Sequence, residues 1–208
     1  MFSWKAFVQH LQAMRGYIAF SLILFMAGMV IGGTNVQLEQ YIYGQLEGLQ
    51  QISNTINDSS NPTLLSFIFI FLNNAIKCII IMYLGAAFAL IPIVFLVING
   101  MVLGYLFTHH SAVISTFELI WRGILPHGII EIPALLIASA YGIRLGMLTF
   151  SGVGHLITRK KGIGSVYEAF MVRTVPLMLA LTVALLLAAI IESTITPWLL
   201  AQKMNSGM

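Results

Sequence analysis

Leu125-Pro126-His127-Gly128-Ile129-Ile130-Glu131-Ile132-Pro133 opens an apolar run that continues to about Gly146. A run of this length reads as a membrane helix, since about 20 apolar residues at a 1.5 Å rise cross the hydrocarbon core of a bilayer. His127 and Glu131 stand four residues apart at its head, and Glu131 falls inside the part that hydrocarbon would cover. Ionisable groups at that depth are costly, so they pair, face the protein interior and mark candidate function.

The composition agrees with a membrane reading. Of the 208 residues, 59% are hydrophobic and 8% charged, with a mean hydropathy of +0.93. A soluble domain carries about 25% charged residues, so a soluble fold is excluded. The expected class is an all-α integral membrane protein with about five transmembrane helices plus interfacial or re-entrant helices. Cys78 is the single cysteine, so no intrachain disulfide forms, and it reads as a small buried hydrophobe. The first apolar segment suits a span better than the shorter core of a cleavable signal.

Outward from the opening run, the chain divides into alternating apolar and polar stretches. Trp4, Phe7, Val8 and Leu11 recur at helical spacing among Lys5, Gln9, Gln12 and Arg15, which predicts an interfacial amphipathic helix over residues 1–15. Spans are predicted at about 17–34, 63–83, 87–107, 126–149 and 166–193. The 45 residues of 63–107 are too many for one crossing, so a break is placed near 83–87. Residues 36–62 read as an outer loop, of which 36–51 could form a surface helix. Residues 112–124 read as an interfacial or re-entrant helix in which Glu118 and Arg122 pair at i, i+4.

Charge fixes an expected orientation. Lys5 and Arg15 precede the first span, and Arg159, Lys160 and Lys161 follow the fourth, while residues 36–62 carry acids without Lys or Arg. The positive-inside rule then puts the N-terminus in the cytoplasm and the C-terminus outside, in a multi-pass cell-membrane protein. His127, Glu131 and Glu192 fall toward the outer side, with Asn99 in the outer half of the third span and Asn73 and Asn74 near the middle of the second. His109 and His110 flank the same surface. Glu131 is expected to face Asn99.

Three readings of this polar group follow. It is a hydrogen-bonded structural cluster, a metal or ligand site, or a catalytic site. His127, Glu131 and Glu192 suit a divalent metal such as zinc, which accepts imidazole nitrogen and carboxylate oxygen. Two carboxylates could instead share a proton. His-Glu-x-x-His, Gly-x-Ser-x-Gly and P-loop signatures are all absent, so no enzyme is expected. A small transporter using Glu131 and Glu192 is the alternative, though no inverted repeat supports it. No catalytic residue, established cofactor or nucleic-acid partner is expected. Gly28-x-x-x-Gly32, Gly100-x-x-x-Gly104 and Gly142-x-x-x-Gly146 allow close helix approach, either within the chain or in a homodimer. Lys77, Arg144 and Arg173 are expected to snorkel toward the inner headgroups, with Glu168 near Arg173.

Taken together, Phe71-Leu72-Asn73-Asn74, Asn99-Gly100-x-x-x-Gly104, Leu125-Pro126-His127-Gly128-x-x-Glu131-x-Pro133 and Ala189-Ile190-Ile191-Glu192 before Thr196-Pro197 resemble the stage II sporulation protein M family. The resemblance covers roughly 63–198. It implies an integral membrane protein of an endospore-forming bacterium, which helps to hold peptidoglycan-degrading partners at the septal membrane during engulfment. That role is a scaffold's, and the resemblance gives His127, Glu131, Asn73, Asn74, Asn99 and Glu192 no chemical role.

Overall fold

In the computed structural model, residues 4–34, 39–109, 115–158 and 163–206 are described, and no strand occurs among them. The helices are α1 (Trp4–Ala13), α2 (Arg15–Thr34), α3 (Glu39–Asn57), α4 (Pro62–Leu84), α5 (Leu90–Thr108), α6 (Thr116–Glu118), α7 (Leu125–Ile157), α8 (Ile163–Ile190) and α9 (Thr196–Ser206). Two π-helical segments, Leu119–Ile124 and Ile191–Ile195, join α6 to α7 and α8 to α9 without a break. Five helical stretches are long and apolar enough to cross a membrane: Arg15–Thr34, Pro62–Leu84, Leu90–Thr108, Thr116–His155 and Gly164–Gln202. The protein is therefore an all-α integral membrane protein.

The second and third spans part where the sequence placed the break. Asn61 caps α4, accepting from the Leu64 amide at 3.2 Å, and Pro62 occupies the first turn, where its missing N–H costs nothing. At the other end of α4 the chain reverses within residues 85–89. Phe88 and Ala89 take positive φ values of 53° and 65°, a region that non-glycine residues enter at a cost. Close packing holds that turn. A Cβ on Gly85 would run into the Gly142 backbone, and one on Gly146 into Ala89.

All three glycine pairs are used within the chain. Gly28 and Gly32 of α2 meet Val97 and Met101 of α5, while Gly100 and Gly104 of α5 meet Phe25 and Met29 of α2. The two helices run in the same direction with backbones in contact. Gly142 and Gly146 receive the α4–α5 turn. α7 is the central strut, buried continuously from Ala138 to Ile143. On one side it closes a core of Ala75, Cys78, Met82, Tyr141, Phe170 and Leu177 with α4 and α8. On the other it packs Leu136 and Ile143 against Phe25 and Leu96 of α2 and α5.

Several expected boundaries change. Residues 116–124, expected as an interfacial or re-entrant helix, run without a break into the helix of the fourth span. Ser115 starts the lead-in by accepting from the Glu118 amide at 3.3 Å and donating to its carboxylate at 3.3 Å, a local form of capping box. Arg122, in the π segment, donates to the Leu199 carbonyl of α9 at 3.2 Å. The helix of the fifth span continues past Ser193; Pro197 sits in the first turn of α9 and lets it run on to Ser206. Most of the expected outer loop is α3, seated on α4 and α5 by Ile42 against Met101 and Tyr105. His110 and the Arg159-Lys160-Lys161 loop lie outside the described residues.

Candidate functional site

α7 and the second π segment bring three of the expected residues together. One ligand atom each of His127, Glu131 and Glu192 lies within 4.8 Å of the other two, and all three side chains are half-buried. His127 and Glu131 share one face of α7 by their i, i+4 spacing. Glu192 reaches them from the helix that returns antiparallel. Its segment is π-helical where hydroxyls compete for one carbonyl: Thr194 donates to the Ile190 oxygen at 2.5 Å and Ser193 at 3.3 Å. Such back-bonding bends and widens a helix, and π turns recur at functional sites.

A second layer surrounds the three. His127 Nδ1 shares a hydrogen bond with Thr196 Oγ1 at 3.3 Å, which ties the ring to α9. Asn74 of α4 hydrogen-bonds Glu131, and Asn73 Nδ2 donates to Asn74 Oδ1 at 3.2 Å. With its oxygen taken by Asn73, Asn74 has its amide N–H free to donate to the carboxylate. Lys77, one turn further along α4, lends Glu131 a favourable charge interaction.

Asn99 Nδ2 donates to the Phe95 carbonyl of its own helix at 2.7 Å, while the amide that bonds Glu131 is that of Asn74. His109 is stacked on Tyr105 with ring centroids 4.3 Å apart and bonded to Thr108 Oγ1 at 2.8 Å.

Depth can be read from the aromatic residues. Trp121 and Trp198 are both 59% exposed, and Arg122 and Leu199 beside them are bonded, so they mark one level. Exposed Trp at a common level is the mark of a membrane–water boundary. Glu192 lies six residues below Trp198 and Glu131 ten below Trp121, about 9 and 15 Å at an α-helical rise. The cluster is thus a polar island about two to three helical turns from these two tryptophans, within helices long and apolar enough to cross a membrane.

Chemically, two carboxylates this close repel strongly in a low-dielectric setting unless a proton or a cation lies between them. Two carboxylate oxygens and one imidazole nitrogen form a donor set that fits a divalent cation of the zinc type, with Asn74 and Thr196 as the outer partners that orient the ligands.

The opposite end of the bundle carries another polar group that sequence reasoning did not find. His10 of α1 packs edge-on against Tyr141 and Phe170, at centroid distances of 5.4 and 6.2 Å. Burial, followed by the nearby Arg173 guanidinium, pulls the His10 imidazole below the ordinary histidine range. Arg144, expected to snorkel freely, donates to the Tyr17 hydroxyl at 2.8 Å with its guanidinium 5.4 Å from that ring. The amphipathic spacing of Phe7 and Leu11 announced α1, but no pattern in the sequence announces what His10 faces.

No curated protein and no solved structure matches the chain. The family model for stage II sporulation protein M matches residues 21–197, a region that takes in every member of the polar cluster. The chain belongs to the stage II sporulation protein M family.

Proposed function

We propose that this protein is a non-enzymatic membrane scaffold that holds peptidoglycan-degrading partners at the septal membrane during endospore engulfment. Family membership supports the setting. The observation that carries the reading is α3: Ile42 and Ile56 are buried and fix the helix to the bundle, while Glu47, Gln51 and Asn54 are exposed at i, i+4 and i+7. A helix anchored by two apolar residues and presenting one polar stripe can meet a partner without first being ordered, which lowers the entropic cost of binding. The expected orientation, with the N-terminus cytoplasmic and the C-terminus outside, puts that stripe on the side where peptidoglycan lies. Replacing Glu47, Gln51 and Asn54 together by Lys should abolish co-purification of a co-expressed peptidoglycan-degrading partner without loss of the folded bundle. Undiminished capture by that variant would refute α3 as the contact.

A second reading rests on the 4.8 Å grouping of His127, Glu131 and Glu192. In it the cluster holds a divalent cation such as zinc, which pins α7 to the α8–α9 helix. Elemental analysis of purified protein tests it. About one zinc per chain, lost in Glu131→Gln, supports the cation; metal-free wild type refutes it.

A further inference from the structure

Two cavities open at the end of the bundle that carries α1. The larger, of about 730 Å³, lies between α1 and α8 and is lined by Trp4, Phe7, Pro176 and Ala180 along its apolar length, with Arg173 and Glu168 at its polar end. The smaller, of about 490 Å³, lies deeper toward α7 and is lined by Arg144, Tyr17, Met14 and Phe170. The two meet at His10, Ser165, Ala169 and Arg173, which line both. Their polar side chains include two guanidinium groups and one exposed carboxylate, so the joint space is net cationic. His10, which lines both cavities, has a buried Nε2 with no hydrogen-bond partner among the described residues. Buried polar atoms are rarely left unmatched, so a polar ligand or water belongs beside it.

The shape of the space identifies the occupant. One wall is an amphipathic helix that belongs at the membrane–water boundary, and the other is a membrane-spanning helix. A molecule filling the space needs a phosphate-like head for the arginines and an apolar tail that runs along Phe7, Pro176 and Ala180 into hydrocarbon. We propose that this groove binds an anionic glycerophospholipid of the surrounding leaflet, its phosphate held by Arg173 and Arg144 and its first acyl carbons lying between α1 and α8. Basic pockets between membrane helices on the cytoplasmic side take lipid headgroups by this pairing of charge and depth. Arginine suits the role because its planar donor fork matches phosphate oxygens. The bound lipid would also clamp α1 to α8, giving the N-terminal helix a reason to be docked where it is.

Trp4 lines the groove and reports on it directly. In nanodiscs of the full chain carrying Trp121→Phe and Trp198→Phe, brominated phosphatidylglycerol should quench Trp4 more strongly than brominated phosphatidylcholine at the same mole fraction. Arg173→Gln should cut that selectivity about fivefold, the worth of one interfacial cation. Ala180→Phe should cut it too, by filling the apolar part while every charge stays in place. Millimolar glycerol phosphate or inorganic phosphate should leave the quenching unchanged. Equal quenching by the two lipids overturns the proposal. So does selectivity that survives both substitutions, and so does competition by free phosphate, which would assign the groove to a soluble anion.

Discussion

Glu131 and Glu192, one on α7 and one on the π segment that follows α8, bring a carboxylate oxygen each within 4.8 Å of the other, beside His127. Their mutual repulsion is strong where water is scarce, so the bundle is under electrostatic load unless a proton or cation lies between them. Glu192→Gln removes that load and keeps a side chain able to hydrogen-bond. With chelator present, the variant should melt above wild type. With zinc at a hundred times its dissociation constant, wild type should gain about 2.7 kcal/mol and the variant far less. Thermal melts of both proteins with and without zinc check the pair of outcomes; identical zinc responses would remove the cation from the account.

Close approach of α2 and α5 gives a prediction of packing. A side chain at Gly32 meets the Met101 backbone, and one at Gly104 meets Met29, with no flexible atom able to yield. Gly32→Val and Gly104→Val should each destabilise the bundle by about 1–3 kcal/mol or more, the usual range for overpacking. Gly16, also in α2, has open space around its missing Cβ. Gly16→Ala should be neutral or stabilise the helix by up to about 1 kcal/mol. Denaturant titration of the three variants separates the outcomes.

His10 predicts a pH response at the other end. Its imidazole is held below the ordinary range when α1 is docked, first by burial and then by Arg173, with Glu168 also facing the cavity. The docked state therefore favours the neutral ring. Docking is complete above the ordinary histidine value of about 6.5 and is lost as the pH falls through the lower docked value. Arg173→Gln relieves the repulsion on the imidazolium and should move the docked value upward. Hydrogen exchange of α1 backbone amides against pH reads the effect; protection that does not change from pH 7 to pH 4 would contradict it.

The Arg122–Leu199 bond makes α9 dependent on the first π segment. Arg122→Ala leaves the Leu199 carbonyl without its charged donor, a loss of about 1.5–3 kcal/mol. Faster amide exchange confined to α9 is the expected outcome. Unchanged exchange there would show that the bond does not hold the two segments together.

The spans and their break were legible because hydrocarbon imposes length and apolarity on every crossing residue. His127, Glu131 and Glu192 were legible for the same reason, since an ionisable residue stands out in an apolar run. Partnership was harder to read. Asn74 and Asn99 look alike in sequence, and only the turn at residues 85–89 decides that α4 presents its amide to Glu131. The Ser115-x-x-Glu118 cap was written in the chain and marks where the helix leading into the fourth span starts. The π segments were not legible, because they arise from competition for the Ile190 carbonyl and from contacts between α9 and the segment bearing Arg122. His10 reads as one polar residue on an amphipathic helix until α8 is laid against it.

The scaffold role is tested most directly inside sporulating cells, with a photo-crosslinking amino acid at Gln51 on the exposed stripe of α3 and a control at lipid-facing Leu179. The account predicts a covalent adduct between the Gln51 position and a peptidoglycan-degrading protein, and no such adduct from the Leu179 position. Absence of that adduct from Gln51, or the same protein partner trapped equally from Leu179, would contradict it.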